Sequence, residues 1–236
     1  MKKYALLLAA FSLVCQFGIA QKPVKLKKKD RKKDIEMVTT EGTIILRLSD
    51  STPIHRDHFI SLVKGKFYDG ILFHRIIKEF MIQAGDPFTK PGAAKTSEDS
   101  AKTRQTIPAE FVKSLFHKRG ALAAARMGDN VNPEKASSYS QFYIVQGKKF
   151  TDGALDTLET FRLKGRKIPV EHREVYKTEG GAPHLDQDYT VFGEVVSGIE
   201  VVDRIAETSV TTQGDGSKKE ARIVKVSLVK RKKLKR

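Results

Sequence analysis

A succession of short apolar runs with two-residue periodicity, punctuated by turn residues, limits the fold of this chain more than any other feature. Residues 35–50, "IEMVTTEGTIILRLSD", read as two strands joined at Glu41-Gly42, the second alternating from Thr43 to Leu48. Strand-like runs follow at 71–77, 80–84, 120–126, 141–145, 189–195 and 222–229. Only two segments carry helix signals strong enough to cap such a sheet. In the first, Ser51 or Thr52 is placed as a cap, Pro53 sits in the first turn, and Ile54, Phe59, Leu62 and Val63 fall near helical spacing before Gly65. The second is "GIEVVDRI", Gly198 to Ile205. Many strands with two helices favour a closed or strongly curved antiparallel sheet over a βαβ arrangement.

One segment breaks this rhythm. Residues 151–181 are charged and partly helical, with Leu155, Leu158 and Phe161 at helical intervals, and read as an insertion between two strands. The formal charge of +16 also has a location. Residues 22–33 carry eight Lys/Arg against one Asp, and residues 230–236 carry six Lys/Arg, whereas 34–229 holds 28 basic and 27 acidic residues. The charge therefore belongs to the two ends, expected to be solvated tails. They are suited to weak contact with a polyanion or anionic surface. Without interleaved aromatic residues they are not suited to reading specific nucleic acid.

The first twenty residues, "MKKYALLLAAFSLVCQFGIA", have a basic start, an apolar run and small residues at Gly18 and Ala20. That pattern predicts a signal peptide cleaved after Ala20, hence export, with the periplasm as the expected destination. Cys15 is the chain's one cysteine; Val14 before it argues against lipid anchoring. Cleavage would leave no cysteine, which excludes disulfides, thiol catalysis and cysteine-held zinc. The expected organisation is a signal peptide at 1–20, a basic linker at 21–34, a single domain at 35–229 with the insertion at 146–182, and a basic tail at 230–236.

The stretch "FHRIIKEFMIQAGDP", Phe73 to Pro87, places Arg75 and Gln83 within otherwise apolar strands, with no nucleophile beside them. If the strands join at Lys78-Glu79, alternation puts Arg75 beside Met81 and Gln83, with Phe73, Arg75 and Ile77 on one face. Periodicity alone would make Phe80 and Met81 core residues, His74 a buried hydrogen-bonded histidine and Asp86 a turn-former. His55 and His58, three apart on the first helix, have no evident third metal ligand.

Together with "GALAAARMGDNVNPEKASSYSQFYIV" and "PHLDQDYTVFGEVVSGIEVVDRI", this stretch resembles the cyclophilin family of peptidyl-prolyl cis–trans isomerases. The resemblance covers about residues 35–229. It implies a closed eight-stranded antiparallel barrel capped by two helices, here with a partly helical insertion, acting without cofactor or metal. It implies that Arg75 is the catalytic arginine and that Phe80, Met81, Gln83, Gln141, Tyr143, Leu185 and Tyr189 form the proline pocket. Ala125 and Arg126 would line the peptide backbone, with His184 at the rim. The implied partners are proline-containing unfolded or flexible polypeptides, bound by a monomer. A binding-only chaperone or scaffold with little turnover is the alternative.

Departures from the family pattern carry their own expectations. His184 stands where Trp is usual, which weakens any expectation of cyclosporin binding, and Tyr189 replaces a histidine. Arg126 replaces an asparagine, which would favour acidic residues near the proline. Tyr139 occupies a usual glycine position and would be strained if that position needs positive φ. Ala84 also replaces a glycine, a milder change.

Overall fold

The computed structural model describes residues 24–93, 97–208 and 220–231, so the expected signal peptide and most of the basic tail lie outside the described residues. Ten strands and five α-helices are present among them. In chain order they are β1 (Lys33–Thr39), β2 (Gly42–Leu48), α1 (Pro53–Lys64), β3 (Arg75–Ile77), β4 (Met81–Ala84), α2 (Ser97–Arg104), β5 (Thr106–Ile107), β6 (Ala121–Ala124), β7 (Ser137–Ser138), β8 (Phe142–Val145), α3 (Asp152–Phe161), α4 (Val170–Thr178), β9 (Val191–Ser197), α5 (Ile199–Thr208) and β10 (Ile223–Lys230). Eight strands form one antiparallel sheet in the order β10-β1-β2-β9-β6-β8-β4-β3, while β5 and β7 pair separately.

The sheet is open, which corrects the closed barrel expected above. Its edges β10 and β3 form no ladder. They approach at a single bridge, Leu72 with Arg222, in the irregular stretch before β3. Gly70 at φ 82° turns the chain there, and Arg75 begins a strand of only three residues. Phe73 consequently points into the core and does not share a face with Arg75 and Ile77.

Alternation sends side chains from both faces of the sheet into apolar clusters. One face, with Ile35, Met37, Ile44, Leu46, Ile82, Leu122, Phe142 and Ile144, packs against Phe59 and Val63 of α1 and Val202 and Ile205 of α5. The opposite face of β4, β6 and β8 supplies Met81, Ala121, Ala123, Tyr143 and Val145 to a second cluster. Strands buried on both faces read as continuous apolar runs, as "ALAA" and "FYIV" do.

Two details depend on partners distant in sequence. The N-terminus of α1 receives no side-chain cap from Thr52. Instead Glu110 accepts hydrogen bonds from the backbone N–H groups of Ile54 (3.1 Å) and His55 (2.9 Å), satisfying donors that the first helical turn leaves free. The segment Lys28–Lys32 is a 3-10 turn, not a solvated tail. Asp30 is buried there and accepts from Lys64 Nζ at 2.8 Å, and Arg31 pairs with Asp57 at 2.6 Å.

The insertion folds around its own small cluster of Leu155, Leu163, Ile168 and Tyr176. Phe161, at a helical interval from Leu155 and Leu158, is 81 % exposed. Glu159 is buried at the centre of the insertion, where Lys167, Arg173 and the backbone N–H of Ile168 all donate to it. A buried carboxylate with three donors is stabilising only as a complete set.

Both histidines of α1 are engaged in ordinary hydrogen bonds. His55 Nδ1 donates to Glu110 at 2.6 Å and its Nε2 accepts from Ser137 Oγ at 2.9 Å; His58 Nε2 donates to the Tyr139 carbonyl at 2.6 Å. Burial lowers the pKa of His55, His58 and His74. Unfolded, these imidazoles take up protons near pH ~6.5; folded, they resist. The unfolded state thus binds more protons as the medium acidifies. Stability present above pH ~6.5 is lost as the pH falls toward the lowered folded values. Thermal melts should show Tm declining steadily from pH ~7 to ~5; a flat Tm would contradict this assignment.

Candidate functional site

Antiparallel register places Arg75 opposite Gln83 and Ile77 opposite Met81 across the β3–β4 pair. The turn between them places Glu79 at φ 62°, where its N–H donates to the Gln146 side chain at 2.6 Å. From this pairing grows a line of polar side chains across three strands. Arg75 Nη1 donates to Gln83 Oε1 at 3.3 Å, and Gln83 Nε2 donates to Gln141 Oε1 at 3.0 Å. Gln141 immediately precedes β8, whose Tyr143 lies opposite Gln83. The guanidinium of Arg75 is exposed at the end of this line and fixed by it.

Beside the polar line lies an apolar floor. Met81 and Tyr143 are buried in the second cluster, and Phe80, Leu185 and Tyr189 pack partly buried against it. Leu185 comes from the 3-10 turn Pro183–Leu185, which also carries His184, and the His184 ring lies 5.2 Å from Phe80. Ala125 pairs through its N–H with the Gln141 carbonyl and through its carbonyl with the N–H of Ser138, which fixes the backbone at that edge. All eleven residues singled out from the sequence line one cavity of about 630 Å³.

Arg126 behaves differently from the expectation placed on it. Its Nε donates to the Asp188 carbonyl at 2.7 Å and its Nη1 to Asp129 at 2.6 Å and the Met127 carbonyl at 2.9 Å. The guanidinium also lies 4.4 Å from the centre of the Tyr189 ring, and the side chain is only 5 % exposed. Its charge is neutralised and its role is to hold Tyr189. The backbone of Tyr139 is not at positive φ, and its ring packs edge-on to His58 at 4.6 Å, so this position carries no strain. His74 is half-buried, with Nδ1 enclosed and unbonded among the described residues. Asp86 does stop its strand, accepting from the Phe88 N–H at 3.0 Å.

Sequence reading missed two contributions. Thr103 to Thr106, from the end of α2 to the start of β5, line the cavity, as do Met127, Val131, Asn132 and Ala136 from the stretch between β6 and β7, and Arg162 reaches it from the insertion. The second contribution lies beneath the floor. The Tyr143 hydroxyl donates to His117 Nε2 at 2.8 Å, and His117 Nδ1 donates to Asp186 Oδ1 at 2.9 Å. Asp186 also accepts from the His117 backbone N–H at 2.8 Å and, through Oδ2, from the Tyr176 hydroxyl of α4 at 2.6 Å. No local pattern joins residues 117, 143, 176 and 186, and only the fold brings them together.

Burial first, and the nearby Arg162 charge second, lower the His184 pKa to about 4. The wall opposite Phe80 is therefore an uncharged imidazole at neutral pH. An NMR titration should find His184 protonating near pH 4, and Arg162→Gln should move that value upward; a midpoint near ~6.5 would refute the assignment. Asp186→Asn should cost about 1–3 kcal/mol of stability in chemical denaturation, because it disrupts a buried set of three donors.

Comparison with known proteins agrees with this geometry. The family described as cyclophilin type peptidyl-prolyl cis-trans isomerase/CLD matches residues 34–228. A Staphylococcus epidermidis protein named as a peptidyl-prolyl cis-trans isomerase is 34% identical over 192 residues, 80% of this chain and 89% of that protein. A Streptococcus pyogenes protein named as a bifunctional phosphatase/peptidyl-prolyl cis-trans isomerase is 37% identical over 175 residues, 73% of this chain and 34% of its own length. The crystal structure of a cyclophilin type peptidyl-prolyl cis-trans isomerase from Cryptosporidium parvum shares the fold, with a TM-score of 0.56 and 18% identity over 83% of this chain and 96% of that one.

Proposed function

The chain belongs to the cyclophilin-type peptidyl-prolyl cis-trans isomerases, and from that premise we propose that Arg75 is its catalytic residue. The observation that carries the proposal is the union of a fixed guanidinium with a buried apolar floor in one cavity.

An X–Pro bond has two isomers within about 1 kcal/mol, separated by a barrier of about 18–20 kcal/mol that arises from amide resonance. Nothing covalent need form or break. Stabilising the twisted amide, in which resonance is lost and the prolyl nitrogen gains a lone pair, is sufficient. Arg75 supplies a permanent donor toward that nitrogen or the rotating carbonyl. Its hydrogen bond to Gln83, which Gln141 holds in turn, orients it for the moment of reaction. The proline ring would sit on Phe80, Met81, Tyr143 and Leu185, with Tyr189 closing the side held by Arg126 and His184 forming the rim. Gln83 and Gln141 would hold flanking carbonyls, and the backbone at Ala125 and Arg126 would guide the peptide. A thousandfold acceleration needs only about 4 kcal/mol of preferential stabilisation.

In this reading the substrates are proline-containing unfolded or flexible polypeptides met after export, and the protein acts as a monomer. The basic ends add weak contact with anionic surfaces. Support for export comes from the pattern of residues 1–20. Secretion by a bacterial host, with the released protein beginning at Gln21, would be the expected result; a retained Met1 would contradict it.

Arg75→Ala should slow cis-to-trans exchange of an Ala-Pro peptide by about 10²–10³, measured by NMR exchange spectroscopy, while thermal stability barely changes. Equal exchange rates for the two proteins would overturn the assignment. Arg75→Lys should recover only part of the loss, because a single ammonium lacks the planar fork.

A further inference from the structure

Among the described residues, four arginines line the principal cavity, at positions 75, 104, 126 and 162, and no aspartate or glutamate joins them. They are not equivalent. Arg126 is neutralised by Asp129 and occupied with Tyr189, and Arg75 is tied to Gln83. Arg162 stands immediately after α3, where its backbone N–H closes the helix on the Leu158 carbonyl at 2.9 Å. Among the described residues no carboxylate pairs with it. The acids nearest along the insertion are already committed: Asp156 to Arg173, and Glu159 to Lys167 and Arg173.

Arg162 also lines a second cavity. That cavity, of about 370 Å³, shares Phe80, Arg162 and His184 with the first. Phe80 and His184 thus form a wall between two compartments, and Arg162 borders both. The second compartment is lined as well by Lys78, Lys148, Phe150 and Leu158, with Glu79 as its one acid among the described residues. Lys78 is paired with Glu207 at 3.0 Å, and Lys148 lies 5.9 Å from the centre of the Phe150 ring. A peptide with its proline on the floor of the first cavity would carry a neighbouring residue across the wall and past Arg162.

We propose that Arg162, supplied by the inserted helix, is a specificity residue that pairs with a carboxylate side chain near the target proline on the Phe80–His184 side. This rests on the isomerase reading of the cavity and assigns its substrate class: proline sites flanked by Asp or Glu. The guanidinium is solvent-exposed, so the gain is modest and screened by salt. It acts through encounter and selection among peptides rather than through the twisted amide itself. It also moves the acidic preference expected of Arg126 to a residue whose charge is uncompensated.

The test scans Glu, Ala and Lys through the positions flanking proline in short Ala-Pro peptides and measures kcat/KM for the full protein. At one position Glu should exceed Ala by about fivefold and Lys should fall below it. The Glu advantage should shrink as salt rises from ~20 mM to ~0.3 M. Arg162→Gln should abolish the advantage, and Arg162→Lys should keep most of it. An absent Glu advantage, or one that survives Arg162→Gln or disappears only in Arg104→Gln, would overturn the proposal. Failure of the parent protein to turn over the all-Ala peptide would instead overturn the isomerase reading beneath it.

Discussion

Burial of the same three strands on both faces is the constraint on which the rest of the structure depends. In β4, β6 and β8 successive side chains enter opposite clusters, Ile82 and Ile144 on one side, Met81 and Tyr143 on the other. A one-residue slip would exchange those sets and leave Gln83 in the main core. Because both sets are apolar and buried, such a slip is penalised twice. The alignment of Arg75 with Gln83 and of Gln83 with Tyr143 is therefore secured by packing on the far face of the sheet. The polar line is held by hydrophobic burial more than by its own hydrogen bonds, each of which contributes only about 1 kcal/mol net. Gly85 shows how tight the fit is: at φ 102°, an added Cβ would lie 2.2 Å from the Ser140 carbonyl oxygen.

Much of this was legible in the sequence because strand and helix periods survive in local patterns. The eight strands of the main sheet and both capping helices lie where alternation and helix signals placed them. The eleven expected cavity residues were placed by three ordered motifs, and they do share one cavity. What was not legible has a common cause, dependence on partners far along the chain. Glu110 caps a helix that begins at Pro53, a distance no local capping rule spans. His117 reads as an isolated histidine until Asp186 and Tyr143 stand on either side of it. Closure of the sheet was also misread, since strand count does not fix whether the last edge pairs with the first. Arg126 shows the reverse problem: its type suggested a free charge, and its neighbours consume that charge.

The insertion is joined to the site at two places of different character. At its base, Gly147 at φ 67° faces Gly181 so closely that an added Cβ would lie 2.5 Å from the Gly181 Cα. The N–H of Gly147 donates to the carbonyl of Phe80, so the same junction fixes one wall of the cavity. Farther on, Tyr176 reaches Asp186 and, through His117, the floor residue Tyr143. A segment that the strand pattern marks as foreign is thus continuous with the pocket by both backbone and side-chain bonds.

The clamp of Arg126 on Tyr189 has a consequence for the temperature dependence of binding. A tyrosine held between a guanidinium and the Tyr143 ring has already lost its rotamer freedom when the chain folds. An arriving peptide then orders only itself, and the protein contributes little configurational loss to the encounter. Association should carry a heat-capacity change set by apolar contact area alone, without the larger signature of a site that folds around its ligand. The same stiffness means the Tyr189 wall meets cis and trans prolines with one shape. Which isomer it holds more tightly is then decided by the peptide's fit and not by adjustment of the protein.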